Sequence, residues 1–282
     1  VNLSSGTLEL YGPNVSVYAG DTVSGATGIF NQNGGLVWGS AGSGNAVTLG
    51  NAAGADGTYN LNGGVLWIAQ VRQGNASAAN ATFNFNGGTL KPTVSSTAFF
   101  QGVQAANVQD GGAIIDTTNL DITIGQSLNA AGAGGLTKLG SGTLTLAGFN
   151  GYTGNTVVSN GTLVLTTSSL LGGGGLVVNG GASLTVTDAF SALPVSALNV
   201  GNGGATILNF NLPNGNPLSP QITAVGALTV SGDVTINVAG QNLSAGQFPL
   251  IQFTSASGLG NVHLGSVPPG VSAALVMTAN SI

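Results

Sequence analysis

Charged residues are what this sequence most lacks. Of 282 residues, three are Lys or Arg and eight are Asp or Glu, so charge makes up 4% of the chain, against roughly 25% of ordinary soluble domains. The three cations, Arg72, Lys91 and Lys138, stand far apart. Because no basic patch is available to neutralise phosphates, nucleic acid is excluded as a partner. Low charge also weakens repulsion between copies and favours association.

Cysteine and long apolar runs are absent as well. Without cysteine the chain has neither disulfides nor thiolate metal sites. No apolar run reaches the roughly 18 residues of a membrane-spanning helix, so no membrane-spanning segment is predicted. The first residues, VNLSSGTLEL, read as strand and lack the charged and apolar regions of a signal peptide. Either the chain is not exported, or a signal peptide has already been removed, and removal is the interpretation that we favour.

Short alternating strands fill the sequence instead. Runs such as T-L-E-L, A-T-F-N-F-N, T-L-T-L and V-T-I-N-V alternate apolar with polar residues, at the period of two that is typical of β-strands. N-G and N-G-G bound these runs, and Asn-Gly supplies the positive φ values of tight turns. Strong helix formers are scarce, and 42% hydrophobic content argues against disorder. The fold class is therefore all-β.

Two phrases recur along the chain. Variants of G-T-L-x-L contain Leu144, Leu163 and Leu184 at nearly equal steps. The phrase N-x-N-G-G begins at Asn31, Asn60 and Asn84. Regular recurrence at such intervals indicates a solenoid in which each coil packs only against its neighbours. The three leucines should form one inward column, and columns of Asn and Thr should hydrogen-bond outside, as ladders do in stacked strands.

Three zones follow from the spacing. Residues 1–109 carry the N-x-N-G-G series, residues 110–200 carry the more regular G-T-L repeat, and residues 201–282 are irregular. Six of the nine prolines lie in the last zone. Because proline cannot donate to a strand ladder, this zone is predicted to be a C-terminal cap or assembly interface.

One stretch, from Gly111 to Thr166, carries motifs known from a family. It contains G-G-L-T-K-L-G-S-G-T-L-T-L (Gly134–Leu146), Y-T-G-N-T (Tyr152–Thr156) and N-G-T-L (Asn160–Leu163). In these motifs it resembles the autotransporter-associated β-strand repeat of secreted bacterial passenger proteins. The resemblance implies a right-handed parallel β-helix, export, and an extracellular or cell-surface position. The family's motif residues are structural, so it implies no catalytic residue.

Candidate catalytic residues are few. Glycoside hydrolysis requires two carboxylates that face one cleft, and the nearest candidates are Asp110, Asp116 and Asp121. We interpret them as turn carboxylates that accept backbone N–H groups, because no Arg, Lys or His lies near them in sequence. His263 is the sole histidine and cannot build a zinc site alone. We therefore predict no enzyme activity, no metal and no cofactor.

The two tryptophans are the most informative aromatic residues. Trp38 and Trp67 each lie five residues after the Asn of an N-G-G turn, Asn33 and Asn62. They are predicted to stack on consecutive coils of one face. Inward stacking is the simpler interpretation, whereas an outward pair would suit contact with a glycan or a partner.

We interpret the chain as an extracellular structural protein, the subunit of a self-assembling filament, sheath or surface layer. A solenoid without caps exposes unpaired strands at both ends, so head-to-tail contact with a second copy is expected. The residues predicted to form it are Val1, Asn2, Leu3, Asn280, Ser281 and Ile282. Two alternatives stay open: a carbohydrate-binding or adhesive surface module, and a polysaccharide-active β-helix enzyme.

Overall fold

The computed structural model describes residues 1–12, 14–21, 23–39, 44–166, 171–187 and 192–282. Over these ranges the chain is a parallel β-helix, as predicted. Every pair of named strands is parallel, and the strands form one 15-stranded, one 11-stranded and one three-stranded sheet. No helical segment within the described ranges has the length and apolarity needed to cross a bilayer.

The strands succeed one another on three faces. The first face contains Asn2–Leu3, Asn80–Phe85, Ala105–Val108 and Leu128–Ala130, and later Leu193–Val195, Ile222–Ala224 and Ile251–Gln252. The second contains Thr7–Leu10, Thr89–Pro92, Ala113–Asp116, Leu136–Leu139, Thr156–Val158, Leu176–Asn179, Leu198–Asn202, Ala227–Val230 and Ser255–Ser257. The third contains Ser16–Ala19, Ala46–Leu49, Gln70–Gln73, Ser96–Gln101, Ile122–Ile124, Thr143–Leu146, Gly161–Leu165, Ala182–Thr187, Thr206–Leu212, Val234–Gly240 and Val262–Leu264. A short 3-10 helix, Leu259–Asn261, precedes the last strand.

Two long strands, Thr27–Gly39 and Asp56–Ile68, turn from the first face to the second. The first part of Asp56–Ile68 pairs with Asn80–Phe85, and its last part pairs with Thr89–Pro92. The bend lies at Gly64, whose φ of 70° is in the left-handed region. Glycine takes up this conformation without the steric cost that a Cβ brings, so N-G-G marks the corners of the coil.

Stacked apolar columns form the interior. Leu144 pairs with Leu163, and Leu163 pairs with Leu184 on the following coil. All three side chains are buried. The prediction of one inward leucine column is therefore confirmed, and with it the register of the regular repeat. Because parallel coils stack about 4.8 Å apart, each leucine packs directly on the next.

Aromatic rings replace the aliphatic side chains in the N-terminal coils. Phe30, Tyr59 and Phe83 stack in the interior with ring centroids 5.0 and 5.3 Å apart and rings nearly parallel. The Tyr59 hydroxyl donates a 2.6 Å hydrogen bond to Oε1 of the buried Gln32. Burial raises the pKa of Tyr59 far above its usual range, so the ring stays neutral. Tyr59 and Phe83 are core residues, and neither ring is exposed.

Coil length varies along the molecule while the sheets stay continuous. On the third face, the coil from Val17 to Val47 is markedly longer than the coil from Leu144 to Leu163. The coils lengthen again after Leu208. The coil length therefore changes along the chain, and the third face runs without a break through both of the zone boundaries proposed from sequence.

The C-terminal residues close back on the helix. Ile282 is buried, and its carbonyl oxygen accepts hydrogen bonds from the main-chain N–H groups of Leu250 and Ile251. Ser281 forms an antiparallel bridge with Gln252. The sequence predicts that residues 280–282 contact a second copy, but the structure pairs this segment within the chain. The last coil is therefore covered by an irregular segment of the same chain.

Candidate functional site

The two tryptophans lie on the outside of the second face. Trp38 pairs with Trp67 in the register of neighbouring coils. The residues that precede them, Val37 and Leu66, are fully buried. Because successive side chains of a strand point to opposite faces, both indoles point to solvent, and 36% of Trp67 is exposed. The simpler interpretation, that they stack inward, is therefore wrong.

A single outward column contains both indoles and three charged side chains. Glu9 pairs with Trp38, and Trp67 pairs with Lys91. On the next coil Leu90 pairs with Ile115. The residues that follow these two, Lys91 and Asp116, therefore lie side by side. We call this set, Glu9, Trp38, Trp67, Lys91 and Asp116, the tryptophan column. It contains three of the eleven Lys, Arg, Asp and Glu residues of the chain. Charge that is scarce elsewhere therefore concentrates beside the aromatic rings.

Hydrogen bonds and charge fix the Trp67 ring. Its indole Nε1 donates to the main-chain carbonyl oxygen of Pro92 at 2.8 Å. The Lys91 ammonium lies 5.4 Å from the ring centroid, a distance at which a cation is attracted to an aromatic face. Lys91 Nζ also forms an ion pair of 2.9 Å with Asp116 Oδ2. The ring is thus held from two sides.

The Trp38 ring is held less closely. Its centroid lies 6.2 Å from that of Trp67, with the planes 44° apart, which is within the range of favourable aromatic pairs. Its Nε1 has no hydrogen-bond partner among the residues that the structure describes. Glu9, the next member of the column, is exposed. The N-terminal end of the column therefore keeps polar groups that a ligand could use.

Asparagine ladders run beside the bends of the same coils. Asn60 Nδ2 donates to Asn31 Oδ1, and Asn84 Nδ2 donates to Asn60 Oδ1, each at 2.6 Å. The ladder extends to Asn2 at one end and to Asn107 at the other. The N-x-N-G-G repeat therefore aligns the asparagines in a hydrogen-bonded column, which confirms the predicted outer ladder for asparagine. Such side-chain ladders add to the main-chain bonds between coils.

The three aspartates singled out from sequence accept backbone N–H groups. Asp110 Oδ1 accepts from Ala133 at 2.8 Å, and Asp121 Oδ1 accepts from Thr143 at 2.8 Å. Asp116 Oδ1 accepts from Thr118 at 2.9 Å. Their interpretation as turn carboxylates is confirmed. Each holds a corner of the coil.

The remaining candidates lie apart. His263 is exposed on the last strand of the third face. Within the described ranges, no three His, Asp or Glu side chains gather as metal ligands would. Asn2 and Leu3 pair with Asn31 and Gln32 on the first face. They lie at the opposite end of the solenoid from the paired Ile282.

Lys138 is a buried polar residue that sequence reasoning missed. It is in register with Ile115 on one side and Val158 on the other. Its Nζ donates to Thr117 Oγ1 and to the carbonyl oxygens of Leu139, Gly140 and Asn160, at 2.9–3.3 Å. Burial lowers the pKa of Lys138 to about 8, although Asp116 and Asp121 oppose the shift. In the sequence L-T-K-L, Lys138 lies two residues after Leu136 and therefore on the same face of the strand. This spacing is the feature of the sequence that predicts burial of Lys138.

Comparison with known proteins matches part of the chain. The model of the passenger-associated transport repeat matches residues 136–165. The adhesin BmaC autotransporter of Brucella suis biovar 1 (strain 1330) is 53% identical over 49 residues, which are 17% of this chain and 1% of that protein. No solved structure matches. The repeat match contains Lys138, Leu144 and Leu163, so it covers inner columns and leaves the tryptophan column outside.

Proposed function

Since this chain carries an autotransporter passenger repeat at residues 136–165, we propose that it is a rigid segment of an exported, surface-located passenger. Its proposed role is adhesion, without catalysis. The observation that carries the proposal is the outward tryptophan column on a sparsely charged parallel β-helix. Exposed aromatic side chains offer a contact surface at low entropic cost.

The continuous solenoid suits this role. The third face alone contains eleven strands in one parallel sheet. In such a structure each coil is stabilised by its neighbours, and the molecule is extended rather than compact. An extended segment can present a contact surface along its length. The relative that shares 53% identity over 49 residues is itself named an adhesin, which supports the same role.

Catalysis has little support in the geometry of the carboxylates. Asp116 is engaged on both oxygens, by Thr118 N–H and by Lys91 Nζ. Asp121 Oδ1 is engaged by Thr143 N–H. A glycosidase needs one carboxyl group to move a proton and another to attack or to activate water. Carboxylates that hold corners of the coil are poorly placed for either task.

Head-to-tail filament formation stays a prediction. On the N-terminal side, Asn2 and Leu3 pair with Asn31 and Gln32 of the following coil. The C-terminal side differs, because Ile282 is buried and paired with Ile251. A second copy would have to displace this pairing before a shared parallel strand could form. We therefore place adhesion before filament formation.

Surface display tests the adhesive role. Residues 1–282 would be fused to a surface carrier on a non-adherent bacterium, with the carrier alone as the control. We expect adherence to cultured epithelial cells or to matrix-coated plates to rise several-fold over the carrier. Adherence equal to that of the carrier on every surface would refute the proposal. Release of sugars from a polysaccharide panel, lost in Asp116→Ala, would refute the absence of catalysis.

A further inference from the structure

We infer that the tryptophan column is a binding site for neutral glycans, with the apolar face of a pyranose ring packed against the exposed surfaces of Trp38 and Trp67. This inference rests on the adhesive function proposed above and names its ligand. A pyranose ring presents an apolar C–H face and a rim of hydroxyl groups. The column presents matching groups, the outward apolar surface of two indoles with hydrogen-bonding groups beside it.

The side chain of Trp67 has a fixed orientation, which favours a role in binding a ligand. The ring is held by the bond from its Nε1 to the Pro92 carbonyl oxygen and by the Lys91 ammonium. A side chain that is already ordered loses little conformational entropy when a ligand stacks on it. Trp38, by contrast, keeps its indole N–H without a partner among the described residues. That N–H is available to donate to a sugar hydroxyl.

The charges of the column favour a neutral ligand over an acidic one. Carboxylates and sulfates bind most strongly to Arg or Lys side chains through charge-assisted hydrogen bonds. The Lys91 ammonium is already paired with Asp116 at 2.9 Å. Arg72 lies on a different face, in the strand Gln70–Gln73. Glu9 leaves the column with one net negative charge, which repels acidic glycans.

The size of the aromatic surface favours a sugar over a folded protein. A stable protein interface buries roughly 800 Å² on each partner. Two indoles that are mostly covered by their neighbours expose at most about 200 Å² between them. The next outward residues along the same strands, Leu36 and Val65, are half-buried. This area is that of one or two sugar rings.

Tryptophan fluorescence gives a direct test, because Trp38 and Trp67 are the two tryptophans of the chain. The purified chain would be titrated with cellohexaose, chitohexaose, maltohexaose and mannohexaose, and with oligogalacturonate and sialyllactose as acidic probes. We expect at least one neutral series to change the emission with saturation, and the acidic probes to bind at least tenfold more weakly. No response to any neutral probe, or tighter binding of an acidic one, would overturn the inference.

Variants locate the site. Trp67→Ala and Trp38→Ala should each lower the association constant about tenfold, the effect of losing one stacking contact. Here binding is followed by calorimetry. Tyr18→Ala is the matched control, since Tyr18 is an exposed aromatic residue on the third face, and binding should be unchanged. An equal loss in Tyr18→Ala would overturn the assignment. Circular dichroism establishes that every variant retains the β-rich fold.

The outcome separates this inference from the adhesive function. If the displayed chain adheres but the purified chain binds no neutral glycan, the glycan inference fails and adhesion stands. If the chain binds a neutral glycan through both tryptophans but does not adhere, the adhesive function fails and the glycan site stands. Loss of adherence in Trp67→Ala together with inhibition by the bound oligosaccharide would support both.

Discussion

Lys138 Nζ donates a hydrogen bond of 2.9 Å to the main-chain carbonyl oxygen of Asn160, which lies one coil further along the solenoid. The same nitrogen donates at 3.1 Å to Thr117 Oγ1, on the coil before. One side chain therefore links three consecutive coils. Its aliphatic part lies in the inner column between Ile115 and Val158, so an ammonium group is held within a column of apolar residues.

Loss of this link should destabilise the regular coils. We expect Lys138→Met to lower the free energy of unfolding by about 1–3 kcal/mol, because buried carbonyl oxygens lose their donor. Methionine keeps most of the packing volume, so Lys138→Ala should cost about 1–2 kcal/mol more through the cavity it creates. Denaturant unfolding followed by circular dichroism measures both. Unchanged stability in Lys138→Met would mean that water replaces the ammonium.

The pKa of Lys138 gives a pH dependence with a defined sign. In the folded chain this pKa is about 8, below the ordinary 10.5. Between these values the unfolded chain binds more protons than the folded one, so the free energy of unfolding should rise with pH, by at most about 1.4 kcal/mol per unit. Burial raises the pKa of Tyr59 and Tyr152. Above pH 10 these two groups should therefore lower the free energy of unfolding as pH rises.

Comparison with Lys138→Met isolates the lysine, because both proteins contain the same tyrosines. The difference between the two unfolding free energies should shift in favour of the lysine protein as pH rises from about 8 to 10.5. Thermal or denaturant unfolding at a series of pH values measures it. A difference that is constant over this window would show that the ammonium is stabilised by its oxygen partners as strongly as by water.

Much of the fold followed from the spacing of identical phrases. Leu144 and Leu163 are separated by one coil, and the structure places them in register. The same argument predicts the asparagine ladder through Asn60, because an identical N-x-N-G-G phrase recurs one coil later. In a solenoid, long-range contacts repeat at a nearly fixed sequence interval. Tertiary neighbours can therefore be derived from sequence here, which is uncommon in compact domains.

The site was predicted less well, because it depends on which side chains of each strand point to solvent. Hydrophobicity alone favours inward tryptophans, although in L-V-W-G the buried residue is Val37 and its neighbour Trp38 must face solvent. The ion pair between Lys91 and Asp116 required the register between the coils. The C-terminal residues return onto Gln252 in an antiparallel bridge, and no repeated phrase indicates it.

Close approach of the coils requires glycine at the start of G-T-L. A Cβ placed on Gly142 would clash with the main-chain oxygen of Leu120 on the preceding coil. We expect Gly142→Ala to destabilise the chain by roughly 1–3 kcal/mol, since one coil must move away. Gly125→Ala is the matched control, because a Cβ there meets no atom within 4 Å. Equal melting temperatures for the two variants would contradict the prediction.

The asparagine ladder should contribute measurably to stability. Asn60 donates to Asn31 and accepts from Asn84, so Asn60→Ala removes two hydrogen bonds, worth about 1–3 kcal/mol together. Asn129→Ala is the control. Asn129 is in register with Asn107 but is exposed, and its replacement should change stability by less than about 0.5 kcal/mol. Chemical denaturation of the two variants compares them directly, and equal losses would show that the ladder adds nothing.

The solenoid should unfold in segments rather than as one unit. Leu163→Ala creates a cavity in the regular zone and should cost about 2–5 kcal/mol. Because each coil contacts only its neighbours, the loss of stability should be confined to the regular zone and should leave the N-terminal coils unchanged. Tryptophan emission reports those coils alone, through Trp38 and Trp67, whereas circular dichroism reports all strands. We therefore expect Leu163→Ala to lower the transition seen by circular dichroism more than the transition seen by emission.

A second variant reverses the comparison. Leu66 is fully buried in the coil that carries Trp67, so Leu66→Ala should lower the emission transition at least as much as the circular dichroism transition. Coincident shifts of both probes in both variants would show that the coils unfold as one cooperative unit. Opposite ordering of the probes in the two variants is the result that nearest-neighbour coupling requires. It would also show that the tryptophan column belongs to coils whose stability does not depend on the matched repeat.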